Sequence, residues 1–199
     1  MAAIKAYKAP SKSIGTGQVL SCAYDYKKTE IILKEMIESL SMDLFEKHLV
    51  TNKLVLTIGY DIENMKDYRG EIMEDRYGRK LPKHLHGTIN LDRYTSSYKL
   101  MCDALLRFYH LHINHALTIR RIQLNATQVR SDDIPVTYKQ LSLFDEEKIE
   151  VDLSKEKKLQ SVTLDIKKKY GKNALLKGTD LQEGATTRER NKMIGGHNA

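Results

Sequence analysis

The stretch KLVLTIGY at residues 53–60 alternates large apolar residues with smaller or polar ones. In an extended chain successive side chains point to opposite faces, so Leu54, Leu56 and Ile58 share one side of a strand. A strand with this alternation belongs to a sheet that is buried on one face and uncovered on the other. The residues that flank it should therefore supply the rest of such a sheet and one covering layer.

Further strands and helices are predicted on both sides of residues 53–60. Three stretches combine apolar, β-branched and small residues in the manner of strands: residues 13–23, 86–91 and 117–129. Two stretches have apolar residues at spacings of three and four: residues 27–47 and a second helix from about Tyr98 to Tyr109. Asp25 precedes the first, and Thr95, Ser96 and Ser97 are alternative caps for the second. The order β-α-β-β-α-β predicts an α/β (α+β) two-layer sandwich, a four-stranded sheet with two helices on one face.

The charge of the chain is unevenly distributed along it. The net charge is +7, but residues 1–130 carry about +6, residues 131–153 about −5 and residues 154–199 about +6. Clustered lysine and arginine favour a polyanionic partner because they displace condensed counterions from a phosphate backbone. An ordinary solvated surface with a mild lysine excess explains the same totals.

The ends of the first and fourth predicted strands are rich in hydrogen-bond donors. Arg120 and Arg121 are adjacent, so the two-residue period of a strand directs one of them to each face. At the edge of the sheet both could still reach a phosphate. Together, the donors in these strands predict a surface that contacts phosphates and makes few contacts to bases. They are Lys12, Ser13, Gly15, Thr118, Arg120, Arg121, Gln123 and Asn125. The alternative is that they are solvated strand residues.

A short apolar segment lies within an acidic stretch that has no helical or strand period. It consists of Gln140, Leu141, Ser142, Leu143 and Phe144. Apolar residues in such a context are typical of a docking peptide whose side chains fill pockets on a partner protein. Leu143 and Phe144 would be the buried anchors, and Gln140 would make polar contacts. The alternative is that the segment packs back onto this chain.

No catalytic or metal-binding residue is predicted. Two cysteines are too few for a disulfide framework or a thiolate zinc site. Five histidines invite a metal hypothesis without well-placed carboxylates: His84, His86, His110, His112 and His115. The acidic pairs Asp61/Glu63 and Asp132/Asp133 are at predicted strand ends, where acids commonly end turns.

The remaining segments are connections and a tail. Residues 61–81 are polar and contain Gly70 and Gly78, which predicts a long loop that could be mobile. Residues 132–153 are expected to be a linker that carries the apolar segment. Residues 154–199 are expected to form a tail with one helix, capped by Gly171, followed by a mostly extended or disordered stretch.

Several short motifs resemble the C-terminal part of a Y-family translesion DNA polymerase of the UmuC/DinB (ImpB/MucB/SamB) type. Residues 12–15 (KSIG) resemble the entry to its little-finger domain, and residues 119–122 (IRRI) resemble the last strand of that domain. The segment at residues 140–144 is similar to the peptide by which bacterial polymerases dock on the sliding clamp. The tail resembles the C-terminal extension of the family at Tyr170-Gly171, Asn173-Ala174-Leu175 and residues 190–197.

The resemblance implies a division of the chain into four parts. Residues 1–11 would be a linker from a missing catalytic core, 12–131 the DNA-binding little finger, 132–153 the linker with the clamp-binding peptide, and 154–199 the tail. The implied partners are the primer and template backbone of DNA, the bacterial sliding clamp and the rest of the polymerase. No cofactor is implied for this fragment, because magnesium would be held by carboxylates of the missing palm domain. Relatives often have a basic residue where this chain has Asn125.

Three other functions remain open from the sequence. An RRM-like RNA-binding module shares the β-α-β-β-α-β order, but it would stack bases on aromatic residues of its central strands. A protein that merely occupies the sliding clamp would need residues 140–144 but neither arginine of the fourth strand. A small metal-dependent nuclease would use Asp61 and Glu63. The absence of an apolar run long enough for a membrane span or a secretory signal leads us to expect a cytoplasmic protein without membrane contact.

Overall fold

The computed structural model describes residues 12–133, 153–194 and 197–198. The main sheet contains four long strands: β1 (Ile14–Tyr24), β2 (Leu49–Tyr60), β5 (Leu85–Thr95) and β6 (Ile119–Thr127). Two smaller hairpins and a short added strand complete the β-structure: β3 (Ile72–Glu74) with β4 (Lys80–Pro82), β8 (Met193–Ile194) with β9 (His197–Asn198), and β7 (Arg130–Ser131). The helices are α1 (Tyr26–Glu46), α2 (Tyr98–His112), α3 (Ser154–Tyr170) and α4 (Thr187–Arg190), with 3-10 turns at Ile62–Lys66 and Gly178–Leu181.

The long strands lie in the order β1-β6-β2-β5, and every neighbouring pair is antiparallel. Strand β6 is inserted between β1 and β2, so these two strands are parallel to each other without being neighbours. The short strand β7 pairs with the start of β2. The predicted α/β fold, a four-stranded sheet with helices on one face, is confirmed, and the structure shows that the sheet is antiparallel.

One face of the sheet packs against α1 and α2. The core contains Leu54, Leu56 and Ile58 of β2 together with Met36 and Leu40 of α1, all at most 1% exposed. The helices begin at the expected caps: the Asp25 carboxylate accepts a hydrogen bond from the backbone N–H of Lys28 at 2.8 Å, and the Ser97 hydroxyl accepts one from Leu100 at 3.2 Å. No helix within the described ranges is long and apolar enough to cross a membrane.

Residues 61–81 have more structure than the expected loop. A 3-10 turn over Ile62–Lys66 follows β2, and the β3–β4 hairpin follows the turn. Asn64 joins this turn to the chain before β6, because its side chain donates to the carbonyl oxygens of Asp61 and Thr118 at 2.8 Å each. The segment is therefore fixed to the end of the main sheet.

The C-terminal helix α3 is attached to the two main helices by buried polar contacts. Its Gln160 side chain is 7% exposed and donates to the Ser41 hydroxyl at 3.0 Å and the Ser96 carbonyl at 3.1 Å. Helix α3 ends at Gly171, whose φ of +93° suits a glycine cap, as predicted. This arrangement extends the helical layer beyond α1 and α2.

The residues after α3 also contact the main domain, although the sequence predicts an extended or disordered stretch there. Glu35 of α1 is 3% exposed, and its carboxylate accepts hydrogen bonds from the backbone N–H groups of Thr186 and Thr187 at 2.9–3.0 Å. The Thr186 hydroxyl donates to the same carboxylate at 3.0 Å. Arg190 donates to the Gln18 side chain of β1 at 3.0 Å. The tail is thereby held against α1 and the helix-covered side of β1.

Replacing Glu35 with alanine is expected to release residues 178–194 from α1, because three donors lose a buried acceptor. The free energy of unfolding should fall by about 1.5–3 kcal/mol, the usual contribution of a hydrogen bond to a charged group. Hydrogen exchange at Thr186 and Thr187 and urea unfolding measure the two effects. Glu46→Ala is the matched control, since the Glu46 side chain is 42% exposed and pairs with Lys168 of α3 at the surface. Unchanged exchange at both threonines in the Glu35 variant would show that the carboxylate does not hold the tail.

Candidate nucleic-acid interface

The face of the sheet opposite the helices is not covered by any of the described residues. We call it the open face and define it by the strand positions that alternate with the core positions. Its members are Gly15, Gly17 and Val19 of β1; Arg121, Gln123 and Asn125 of β6; Lys53, Val55, Thr57 and Gly59 of β2; and His86, Thr88 and Asn90 of β5. Val19 is 69% exposed. These paired positions include two cations, Arg121 and Lys53, and no carboxylate, so the open face would attract a polyanion.

A bulge in β6 places both adjacent arginines on the open side. Tyr60 of β2 pairs with Ile119, whereas the preceding Gly59 pairs with Arg121, so Arg120 is an extra residue in β6. Ile119 and Ile122 on either side of the arginines are both fully buried. The sequence-based expectation that one arginine points to each face is therefore wrong, because the bulge interrupts the two-residue period. The expectation of an edge strand is also wrong, since β6 lies inside the sheet between β1 and β2.

The two arginines have different surroundings. The Nε atom of Arg120 lies 4.0 Å from Oδ2 of Asp61, whose side chain is 10% exposed, so this arginine is held beside a buried carboxylate. Arg121 is exposed and lies opposite Gly59. A β-carbon at Gly59 would be only 3.3 Å from that of Arg121, so the glycine leaves room for the arginine side chain. Arg121 is consequently free to contact a ligand, and Arg120 adds positive charge beside it.

Gly15 and Asn125 are paired across β1 and β6. A β-carbon at position 15 would lie 1.9 Å from Oδ1 of Asn125, so the Asn125 side chain occupies the space above the glycine. Gln123 is exposed two residues before Asn125 on the same face. Lys12 and Ser13 are exposed just before β1, and the Lys12 carbonyl accepts a hydrogen bond from the backbone N–H of Val129 at 3.2 Å. These five predicted residues lie along the paired strands β1 and β6.

Thr118 differs from the other predicted donors because its polar groups are already paired. Both its backbone N–H and its hydroxyl donate to Oδ1 of Asn64, at 3.0 and 3.2 Å. Its carbonyl accepts hydrogen bonds from the Asn64 side chain and from the backbone N–H of Asp61. Thr118 precedes β6, and its contacts fix the 3-10 turn to the sheet.

The open face includes polar residues of β2 and β5 that the sequence reasoning missed. The Thr57 hydroxyl and Nδ1 of His86 are 2.8 Å apart across the two strands, and Lys53 pairs with Asn90. The alternation of residues 53–60 contains the necessary signal, since it assigns Lys53 and Thr57 to the side opposite Leu54, Leu56 and Ile58. The candidate interface therefore extends over all four strands.

The histidines and acidic pairs make contacts within the protein. His84 lies against the Met73 sulfur, His110 pairs with Glu30, His112 packs on Phe108, and His115 packs on Tyr26. Burial, with smaller contributions from His86 and Lys83, lowers the pKa of His84 below its ordinary value. The Asp61 carboxylate accepts the backbone N–H of Glu63, which itself pairs with Lys66. Among the described residues, no group of three or more His, Cys, Asp or Glu side chains could hold a metal ion.

The predicted docking peptide, residues 140–144, lies outside the described residues. The structure describes the chain up to residue 133 and again from residue 153, and these two parts are in contact. Nζ of Lys157 in α3 lies 3.2 Å from Oδ2 of Asp132.

The comparisons with known proteins found matches among solved structures. No family model matches the chain, and no curated protein matches it. Among solved structures, a complex of the β-clamp processivity factor and the little finger domain of PolIV aligns with a TM-score of 0.39 and 10% identity, covering 67% of this chain and 99% of that chain. A post-insertion binary complex of Dbh DNA polymerase aligns with a TM-score of 0.38 and 14% identity, covering 65% of this chain and 34% of that chain. Neither similarity assigns a role to a residue of this chain.

Proposed function

We propose that this chain holds DNA by its phosphate backbone on the open face and docks on a sliding clamp through residues 140–144. In this proposal it is the little finger and tail of a Y-family translesion polymerase and carries out no chemical step itself. The reaction, and the magnesium it needs, would belong to a palm domain outside residues 1–199. The partners are then primer–template DNA, the clamp and the remainder of the polymerase.

The observation that carries the DNA-binding proposal is the β6 bulge, which gives the open face two adjacent arginines. Lys53 adds a third cation on β2, and Gln123 and Asn125 add side-chain amides on β6. Arginine, lysine and amide donors on a surface with few apolar groups suit contacts to phosphate and sugar oxygens. Such contacts fix the position of a duplex without reading its sequence, which suits a protein that must tolerate distorted DNA.

The absence of aromatic side chains at the central positions argues against an RRM-like function. The two inner strands of the sheet are β6 and β2, and their paired open-face residues are Arg121, Gln123, Asn125, Lys53, Val55, Thr57 and Gly59. RRM domains stack bases on aromatic residues at such positions. Tyr60 of β2 points into the core and is 8% exposed. The open face therefore offers no stacking platform in its centre.

The clamp-binding proposal is supported by the composition of residues 140–144. Three of these five residues are apolar, and the acidic run at residues 145–147 follows them directly. The proposed clamp contact uses none of the open-face residues, which would remain available to DNA.

Binding of the purified chain to primer–template duplexes of several unrelated sequences tests the DNA-binding proposal. We expect similar affinities for all sequences and a linear fall of log K with log salt concentration, because phosphate contacts release counterions. A single-stranded RNA of matched length serves as the comparison ligand. Selective binding to particular RNA sequences, or duplex binding that does not respond to salt, would contradict the proposal.

A further inference from the structure

The β3–β4 hairpin ends in an exposed aromatic residue surrounded by cations. The strands pair Glu74 with Lys80, and the connection between them reads Asp75-Arg76-Tyr77-Gly78-Arg79. Tyr77 is 81% exposed, more than any other large apolar or aromatic side chain among the described residues. We call residues 75–80 the hairpin tip. An aromatic ring so far from any core has no packing role in the domain.

The hairpin tip has a fixed conformation. Oδ1 of Asp75 accepts hydrogen bonds from the backbone N–H groups of Tyr77 and Arg79 at 2.8 and 3.0 Å. The Arg79 guanidinium pairs with Oδ2 of the same carboxylate at 2.6–2.7 Å and lies 5.3 Å from the centre of the Tyr77 ring. The hydrogen bond from Arg79 lowers the pKa of Asp75, so the carboxylate that orders the tip stays ionised at neutral pH. The ring is thus held in a defined position, so little conformational entropy would be lost when a ligand binds to it.

The hairpin tip carries more cations than anions, with Arg76, Arg79 and Lys80 against Asp75, and Glu74 lies opposite Lys80 in the hairpin. Arg76 and Lys80 are exposed and form no ion pair with any residue in the described part of the chain. Arg79 shares its charge with Asp75, and nearby Lys83 pairs with Glu71. Arg76 directly precedes Tyr77 in the sequence, and Lys80 follows it by three residues. Cations next to an aromatic face are complementary to a nucleotide, which presents a flat base and a phosphate.

The hairpin is structurally continuous with the open face. Met73 of β3 contacts His84 at 2.9 Å, the rings of His84 and His86 are 6.1 Å apart, and His86 is 2.8 Å from Thr57 on the open face. The 3-10 turn at the base of the hairpin is joined to Thr118, two residues before Arg120. The base of the hairpin therefore adjoins the open face at the end where β2 finishes and β5 begins.

We infer that the hairpin tip binds an unpaired nucleotide of the DNA held on the open face. Tyr77 stacks on the base, and Arg76 and Lys80 contact the flanking phosphates. This inference rests on the proposed DNA-binding function and adds a contact to single-stranded DNA, such as the overhang of a primer–template. Stacking accepts any base because every base has a π-face, so the contact is not sequence-selective.

Titration of a primer–template whose overhang contains 2-aminopurine tests the inference, with a blunt duplex as the second ligand. Base–aromatic stacking is worth about 1–3 kcal/mol, which corresponds to an affinity loss of roughly 5- to 150-fold for Tyr77→Ala on the overhang substrate. Tyr77→Phe keeps the ring and should bind like the wild type. Tyr170→Ala is the matched control, because Tyr170 of α3 is also exposed (67%) with a lysine 5.1 Å from its ring centre.

The outcomes separate this inference from the proposed function. A loss with Tyr77→Ala on the overhang but not on the blunt duplex, together with reduced quenching of 2-aminopurine, supports it. If substituting Arg120 and Arg121 weakens binding and Tyr77→Ala does not, the inference is wrong, whereas the proposed function still holds. Equal losses on both ligands also overturn it, since stacking on an unpaired base cannot act on a blunt duplex. If the wild type binds neither ligand, both proposals fall.

Discussion

Replacing Leu143 and Phe144 with alanine is expected to abolish binding of the chain to a bacterial sliding clamp while leaving its affinity for DNA unchanged. Anchor residues of a docking peptide each contribute about 2 kcal/mol or more when they fill pockets on the partner. Removing two of them should weaken clamp binding by a factor of roughly several hundred or more. The proposed DNA contacts lie on β1, β6 and β2, which these substitutions do not alter.

Surface-immobilised clamp and labelled duplex DNA measure the two affinities on the same protein preparations. The matched control is Leu159→Ala/Val162→Ala, which removes two exposed apolar side chains (66% and 55% exposed) from α3. This control should bind both ligands like the wild type. Equal losses of clamp and DNA binding in the Leu143/Phe144 variant, with a lower melting temperature, would mean that the segment packs into the domain instead.

Substituting Arg120 and Arg121 with alanine is expected to weaken DNA binding by a similar factor for every sequence tested. Each arginine that contacts a phosphate accounts for about one released counterion, so the slope of log K against log salt should become shallower by up to about 2. Because Arg120 also lies beside Asp61, the smaller part of the change is expected from Arg120→Ala alone and the larger part from Arg121→Ala.

The matched control for the arginine pair is Lys99→Ala/Arg107→Ala, which removes two exposed cations from α2 on the covered side of the sheet. It changes the net charge equally and should leave the salt slope nearly unchanged. An equal change of slope in both double variants would mean that total charge, and not the open face, determines binding. A loss confined to certain DNA sequences would indicate base reading and contradict backbone contact.

Most of the sheet and helical layer could be predicted because the local patterns agree with the final packing. Alternation over residues 53–60 identified the core face of β2, and the caps Asp25 and Ser97 marked both long helices. Strand order could not be predicted from chain order. The insertion of β6 between β1 and β2 depends on contacts between segments far apart in sequence, which no local pattern encodes.

The candidate interface was partly predictable, and its errors have identifiable causes. A bulge adds a residue to β6 without leaving a sequence signal, so period counting misassigned one arginine. Seven of the eight predicted donors are on the open side of the sheet or at the exposed start of β1. The eighth, Thr118, is bonded to Asn64, a partner that could not be predicted because it belongs to a segment expected to be a loop.

The tail and the hairpin were missed for a different reason. Residues 178–194 have few apolar side chains, and they are held by Glu35, which is about 150 residues away in the chain. The strands of the hairpin, Ile72–Glu74 and Lys80–Pro82, are too short to show a two-residue period. Asp75 and Gly78, the latter with φ of +74°, are local turn signals, but they do not show that strands flank the turn.

Side-chain amide resonances of the isotope-labelled chain, followed by NMR as duplex DNA is added, test most directly whether DNA lies on the open face. Gln123 and Asn125 report on the open face, whereas Gln18, bonded to Thr186, and the buried Gln160 report on the helical side. We expect large shifts at Gln123 and Asn125 and no change at Gln18 and Gln160. Shifts confined to Gln18 and Gln160 would contradict the central claim, because DNA would then lie on the side covered by the helices and the tail.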